Sequence, residues 1–323
     1  MFANALVVGK FAPFHKGHQF LIDTAIRECL QVTVLVYSNP DFPECPQKIR
    51  ANWIRSLYPN VSVLEPTGMP PDDSDGHTHR VFVSDFLAAA RIHVDSVYTS
   101  EGYGDEFAKH LGVTHRMVDR LRTRFNVSGT NLRLNVHGNR DFMDPLVYRH
   151  FVEMIVLLGA ESTGKSTLAV SLAEALGTEF VAEYGREYYE RKGRVLTLDD
   201  YVTIALEHRK IEESAALRAN RYLVVDTNAI TTLFYSYYYN GSALPELHAL
   251  ADDCAERYRY VYVCADDIPF EQDGSRDSEE LRSKSHRMVM MDLTNRGFPW
   301  TLLTGSLEQR IATVITDIRA EVQ

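Results

Sequence analysis

The chain is short of paired cysteines, of net positive charge and of long apolar runs, and each shortage closes off a class of function. Its four cysteines, Cys29, Cys45, Cys254 and Cys264, never fall in a C-x-x-C spacing. Neither a disulfide framework nor a thiolate zinc site is expected, and the thiols read as free and buried in a reducing compartment. Lys and Arg number 34 against 44 Asp and Glu, a net charge of −10. That excludes a general nucleic-acid binder, because no global excess is present to neutralise phosphates, while local basic pockets for small anions stay open. The run ALVV near the N-terminus is too short for a signal or a membrane span, and no charged segment precedes it, so a cytoplasmic protein without membrane partners is expected. Only four residues precede that run, so no N-terminal helix-turn-helix domain is expected. No repeat of solenoid period and no low-complexity tract occurs. What is present is ordinary for a globular chain, 45% hydrophobic and 24% charged residues, and 323 residues exceed what one core usually organises. Two domains are expected.

Two segments share a pattern of apolar run, glycine-containing turn and helical periodicity. In the first, NALVVG leads into GKFAPFHKGHQF (9–20) and then HQFLIDTAIRECL, where Leu21, Ala25 and Cys29, with Ile22, Ile26 and Leu30, recur at four-residue spacing as on a buried helix face. VTVLVYSN follows as a second strand, giving a β-α-β unit over 4–39. In the second, Met154 to Leu158 reads as a buried strand, and the helix after it carries Leu168, Leu172 and Leu176, with Gly177 as C-cap. YLVVD (222–226) and YVYVC (260–264) read as further strands of a parallel sheet. The stretch NRDFMDPLVYRHF (139–151), with a proline and mixed charge, places the boundary near 148 and the domains at 1–148 and 149–323. The expected fold class is α/β, two parallel-sheet domains with glycine-rich turns at the carboxyl ends of their first strands, where ligands bind in such sheets.

Gly159-Ala-Glu-Ser-Thr-Gly164-Lys165-Ser166 matches G-x-x-x-x-G-K-[ST] in the required setting, after a strand and opening a helix. The glycines let backbone N–H groups curl around a phosphate at a helix N-terminus, Lys165 reaches the β- and γ-phosphates of ATP, the Ser166 hydroxyl ligates Mg²⁺, and Thr167 lies beside it. Asp226 ends the strand YLVVD, where a metal-side carboxylate or catalytic acid belongs. Glu183, in FVAEYGREYY, is a candidate general base with Arg186 as a candidate substrate contact, the alternative being a surface glutamate. EQDGSRDSEELRSK (271–284) has the composition of a lid, with Arg276 and Arg282 as candidate phosphate clamps. The aromatic run LFYSYYYN (233–240) offers rings for stacking, but aromatics at helical spacing read mostly as core.

Three readings compete for His15 and His18. A zinc site lacks further ligands, since His77 and His79 lie in the acidic loop DSDGHTHR. Packing accounts for one histidine but not for the whole G-x-F-x-P-x-H-x-G-H string. Phosphate handling accounts for the spacing: Gly9 permits close backbone approach, Pro13 stiffens the loop, and Gly17 clears the helix start, so that both imidazoles face an anion there. They would donate to phosphate oxygens as an α-phosphate is attacked and pyrophosphate leaves.

GKFAPFHKGH resembles the signature of the nucleotidyltransferase superfamily, and VSGTNLR (127–133) resembles its second signature, S-x-T-x-x-R, at Ser128, Thr130 and Arg133. VYTSEGYGDEFAKHLG (97–112) and VDRLRTRFNVSGTNLR (118–133) are similar to the nicotinamide-nucleotide adenylyltransferase branch. With a P-loop kinase half, the whole resembles the NadR type, which pairs nicotinamide mononucleotide (NMN) adenylyltransferase with ribosylnicotinamide kinase. The resemblance implies a Rossmann-like first domain. Gly9, Phe11, Gly17, Ser128 and Thr130 would bind ATP there, with Lys10, His15, His18 and Arg133 catalytic. Arg133 would bind β- and γ-phosphates bidentately. Asn39 and Trp53 would contact the substrate, Trp53 being equally well read as a core anchor. It implies Mg²⁺, ATP as co-substrate, and nicotinamide riboside, NMN and NAD as ligands; a homo-oligomer stays open. Enteric members carry an N-terminal DNA-binding domain that this sequence does not display, so the repressor role is not carried over. Two rivals are a sulfurylase fused to an adenylylsulfate kinase, and a nucleotide-sensing regulator of weak turnover.

Overall fold

The computed structural model describes residues 2–193, 195–269 and 279–320, with the side chains of 279–281 left aside. The chain divides into two compact units, Met1–His150 and Phe151–Gln323.

The first unit holds a five-stranded sheet of order β3-β2-β1-β4-β5, from β1 (Phe2–Gly9), β2 (Cys29–Val36), β3 (Ser62–Leu64), β4 (Ser96–Thr99) and β5 (Thr114–Met117). Every neighbouring pair is parallel, with Val7 opposite Val34 and Leu6 opposite Val97. One face of the sheet packs Leu6, Leu35 and Val97 against Val83 and Leu87 of the helix Gly76–Ala89 and Phe107 of the helix Gly104–Leu111. The expected β-α-β unit forms, but its helix stops earlier than the periodicity suggests. It runs Lys16–Glu28, and Cys29 already begins β2 opposite Phe2. Leu21, Ile22 and Ala25 are buried as expected, whereas Ile26 is 42% exposed and Leu30 is 74% exposed. Parallel pairing with β1 takes over without a loop at Cys29, so the four-residue spacing loses its meaning there.

The second unit repeats the plan with the order β10-β9-β6-β8-β7, from β6 (Glu153–Leu158), β7 (Phe180–Val181), β8 (Tyr222–Asp226), β9 (Tyr260–Cys264) and β10 (Thr301–Leu303), again all parallel. Its strands read as unbroken apolar runs because both faces are covered. Ile155, Leu157, Val224 and Tyr262 enter one core; Val156, Leu158, Val225 and Val263 enter the other. Each fully buried Leu, Ile or Val is worth roughly 1.5–3 kcal/mol, so these alternating residues fix the register. Leu168 and Leu172 pack on the first of these cores, and Gly177, at φ 61, caps their helix Lys165–Leu176. All four cysteines are free and buried. Among the described residues no helix is long and apolar enough to cross a membrane.

Candidate functional sites

In the first unit β1 lies between β2 and β4, so the chain leaves β1 and β4 towards opposite sides and opens a crevice at their carboxyl ends. A cleft of about 500 Å³ forms there, with Gly9, Lys10, Phe11, His18, Thr130 and Arg133 among its walls. Phe11, at φ 53, folds back over the strand end, and a Cβ on Gly9 would come within 2.9 Å of its ring. The glycine is therefore required by Phe11 itself. His15 caps the helix Lys16–Glu28, its Nδ1 accepting the His18 N–H at 3.3 Å, which leaves the imidazole proton on Nε2 as a donor. The two rings stack at 3.6 Å with an 18° tilt, and Gly17 lies against the His15 ring. Burial, and then the positive Arg122, hold His15 down to about 4. His18 is lowered further by burial, by His15 and by Arg122, and its buried Nδ1 has no partner among the described residues. Both imidazoles are thus neutral at pH 7.

The second motif reaches this loop directly. Ser128 Oγ accepts the Asn131 N–H at 3.2 Å and caps the helix Gly129–Leu134. From that helix Arg133 donates to the Ala12 carbonyl, 121 residues away in sequence, and to Thr130 Oγ1 at 3.3 Å, with its guanidinium 4.6 Å over the Phe42 ring. Lys10 pairs with Asp72 at 2.5 Å. Two further arginines, passed over by the sequence reading, belong to the same structure. Arg122, at φ 51, sits in a turn closed by its N–H on the Asp119 carbonyl and lies 3.5 Å from Glu101. Arg50 is wholly buried and donates to the carbonyls of Cys45, Lys10 and Tyr37, holding the loop after β1 in place. Its signal was available: Arg50 and Ile54 share the buried face of the helix Gln47–Leu57, where a charge has no reason to be unless it is bonded. Asn39 and Trp53 do not line the cleft. The Asn39 amide donates to the carbonyls of Met69 and Pro70, and Trp53 is buried with its ring edge-to-face on His150, so the core reading of Trp53 is the one the structure supports.

In the second unit the P-loop follows β6, flanked by β8 and β9. Gly159, at φ 132, passes so close to β9 that a Cβ would come 2.7 Å from the Cys264 carbonyl oxygen. Gly164, at φ 78, caps the helix Lys165–Leu176, on which Thr167 is exposed. Lys165 is buried and donates to the Ala160 carbonyl at 2.7 Å. Ser166 Oγ donates to Asp226 Oδ2 at 2.6 Å, and Asp226 Oδ1 is buried without a hydrogen-bond partner among the described residues. A hydroxyl beside a carboxylate with a spare, desolvated oxygen is a donor set that suits Mg²⁺, which takes few protein ligands and completes its shell with water and phosphate. Arg310, also missed in the sequence, locks the loop: it is buried, donates to the Thr163 carbonyl at 2.6 Å and the Ala265 carbonyl at 3.2 Å, and pairs with Asp267. It shares a buried helix face with Val314 and Ile318.

Beside the P-loop, Glu161, Glu183, Arg186, His208, Thr231 and Tyr235 are among the walls of a second cavity. Glu183 starts the helix Tyr184–Arg191 and lies 3.9 Å from Arg186. Burial raises its carboxyl pKa; Asp226 and Glu161 push the same way, against Lys165 and Arg186. The aromatic run is not mostly core. On the helix Ala229–Asn240 the buried residues are Ala229, Ile230, Thr231, Leu233 and Ser236; Tyr235 and Tyr239 line the cavity, and Tyr237, Tyr238 and Tyr239 are exposed. A single helix meets the sheet along one stripe, and consecutive tyrosines cannot all lie on it. Arg276 falls outside the described residues. Arg282 is not an exposed clamp: it is buried and donates to the Ile268 carbonyl at 2.6 Å, whose side chain approaches Gly164.

The family model of the AAA domain matches residues 154–310. The chain is 29% identical over 294 residues to the trifunctional NAD biosynthesis/regulator protein NadR of Escherichia coli (strain K12), covering 84% of this chain and 71% of that protein. It is 28% identical over 292 residues to the protein of the same name from Salmonella typhimurium (strain LT2), with the same coverage. Two solved structures share the fold across both units: a NadR protein in complex with NR, at TM-score 0.72 and 22% identity over 94% of this chain and 90% of that one, and a NadR protein in complex with NAD and AMP-PNP, at TM-score 0.71 and 23% identity over 99% and 96%.

Proposed function

We propose that the chain is a two-site enzyme of NAD salvage. The C-terminal unit phosphorylates nicotinamide riboside at its 5′-hydroxyl with Mg-ATP. The N-terminal unit transfers AMP from ATP to the resulting NMN, giving NAD and pyrophosphate. The observation that carries this reading is the presence in one chain of two glycine-containing strand-to-helix turns, each at the carboxyl end of its sheet's first strand and each suited to hold phosphate. The similarity to NadR proteins, and the NR, NAD and AMP-PNP bound in the similar structures, support it.

In the kinase site Lys165 binds the β- and γ-phosphates, and Ser166 and Asp226 would hold Mg²⁺, which would supply neutralising charge to the phosphates. Glu183 takes the proton of the 5′-hydroxyl as its oxygen bonds to the γ-phosphorus and ADP leaves. In the transferase site the acceptor phosphate attacks the ATP α-phosphorus in line. His15, His18, Lys10 and Arg133 stabilise the charge that develops. Ser128, Thr130 and Arg122 hold the triphosphate, in a loop shaped by Gly9, Phe11 and Gly17.

The test is to incubate the protein with Mg-ATP and either nicotinamide riboside or NMN, and to follow NMN, NAD and pyrophosphate by chromatography. No product from either substrate overturns the reading. His18→Ala abolishes NAD formation and spares riboside phosphorylation, and Lys165→Ala does the reverse when NMN is supplied.

A further inference from the structure

The walls of the cavity beside the P-loop hold two buried polar atoms with nothing to bond. His208 is 4% exposed and Thr231 is 6% exposed, both line the cavity, and His208 Nε2 and Thr231 Oγ1 have no hydrogen-bond partner among the described residues. An unpaired buried polar group costs about 1–3 kcal/mol, and one such group at a cavity wall is satisfied by whatever fills the cavity. Glu212, on the same helix as His208, does not serve as its partner. Glu212 Oε1 is 3.9 Å from His208 Nε2, beyond hydrogen-bond range, and Glu212 already binds Arg257 at 2.5 Å and Tyr258 at 2.6 Å. His208 occupies the buried face of the helix Leu198–Ala216 with Ile204, Ala205 and Glu212, and Thr231 lies in the first turn of the helix after β8.

The remaining walls set the charge that the cavity accepts. Glu161, Glu183 and Glu190 face it, and the one cation among the described lining residues, Arg186, lies 3.9 Å from Glu183. Tyr235 donates to Glu161 at 3.1 Å, and its ring stacks with that of Tyr239 at 6.0 Å. Carboxylates and tyrosine faces suit a cationic aromatic ring. They offer no surplus positive charge for a carboxylate carried on that ring. Burial lowers the His208 pKa, so the imidazole is neutral at pH 7 and brings one donor and one acceptor, as the threonine hydroxyl also can.

We propose that His208 and Thr231 select the substituent on the base of the riboside, pairing with an uncharged carboxamide and leaving a carboxylate unmatched. The kinase site then prefers an amide-bearing pyridinium riboside over its acid analogue. This selection rests on the riboside-kinase reading given above, and it assigns that site's discrimination to two side chains.

The experiment measures kcat/KM of the full-length protein for nicotinamide riboside and for nicotinic acid riboside at pH 7.5. The wild type favours the amide by about tenfold or more, the effect of roughly one lost buried hydrogen bond and an uncompensated charge. Thr231→Val and His208→Leu lower kcat/KM for the amide about tenfold and leave the low value for the acid within about threefold, so the ratio collapses. Thr231→Ser, which keeps the hydroxyl, keeps the ratio. ATP affinity, measured in parallel by calorimetry, shows whether each variant retains its fold; Thr231→Ala and His208→Ala carry the comparison where Thr231→Val or His208→Leu does not. Equal losses for both ribosides, or an unchanged ratio in every variant, overturn the selection while leaving the kinase in place. A wild type that phosphorylates neither riboside removes the kinase reading and the selection together.

Discussion

The Ser166 hydroxyl donates to Asp226 Oδ2 at 2.6 Å, and the other oxygen of that buried carboxylate has no hydrogen-bond partner among the described residues. The pair spans the ends of two strands, β6 through its P-loop and β8, so the sheet itself fixes the separation. Asp226→Asn keeps the shape and removes the charge. It is expected to lower riboside phosphorylation by about 100-fold or more and to raise the Mg²⁺ concentration needed for half-maximal rate, because electrostatic and metal contacts of this kind are worth several kcal/mol. AMP transfer to NMN, which depends on the other unit's cleft, stays within about twofold of wild type on the proposed division of labour. A Mg²⁺ titration of both reactions checks it.

The stacked pair of His15 and His18 makes the first unit acid-sensitive. His15 titrates near 4 in the folded protein, against 6.5 for an ordinary histidine. Between those values the unfolded chain binds more protons than the folded one, so stability is fully present above pH 6.5 and is lost as pH falls towards 4. The shift corresponds to about 3 kcal/mol from His15, and the lowered His18 acts in the same direction. Of the two tryptophans, Trp53 belongs to the first unit, so Trp300→Phe leaves a fluorescence reporter for that unit alone. Urea unfolding of this variant at pH 7 and pH 5 is expected to show the loss, and adding His15→Gln is expected to shrink it.

Both glycine-containing turns, after β1 and after β6, were legible in the sequence because their demands are local. A glycine at φ 132 against β9 is demanded by the backbone, a glycine under the Phe11 ring leaves that ring its place, and the spacing of the polar groups follows from the helix start. The places where the sequence misleads are those where a distant partner decides. Cys29 and Leu30 continue a helical pattern but are claimed by β1. Tyr237, Tyr238 and Tyr239 have the composition of a core but lie off the buried stripe of their helix. Arg50 and Arg310 act through carbonyls of loops remote in sequence, so only a charge on an apolar helix face betrays them. His208 on its own buried helix face gives the same signal.

Arg310 makes the strongest claim among these residues on the stability of the second unit. It joins the Thr163 carbonyl of the P-loop to Ala265, Gly305 and Asp267. Arg310→Met fills the space but leaves the buried Thr163 and Ala265 carbonyls without this donor, each such loss costing roughly 1–3 kcal/mol, while the partly exposed Asp267 keeps its bond from the Gly305 N–H. The variant is expected to melt at a lower temperature and to bind ATP at least about tenfold more weakly, since the loop that cradles the phosphates loses its tie. Arg310→Lys rescues little, because one ammonium cannot reproduce a planar fork of donors. Differential scanning calorimetry and ATP titration of the two variants measure both effects.

Glu183 and Asp226 are the two carboxylates that the sequence puts forward for the base and the metal side, and pH separates them. Burial, with the negative charges of Asp226 and Glu161, raises the Glu183 pKa above the usual 4.5. A base must be ionised to act, so kcat for riboside phosphorylation is expected to fall on the acid side through a pKa above that of an exposed glutamate. Glu183→Gln removes the group and is expected to lower kcat by about 100- to 1,000-fold with KM little changed, and to abolish that acid limb. Asp226→Asn, if Asp226 serves the metal, keeps the limb and shifts the Mg²⁺ dependence instead. A Glu183→Gln enzyme that retains most of its rate together with its acid limb would transfer the role to Asp226, and pH–rate profiles of the two variants decide between them.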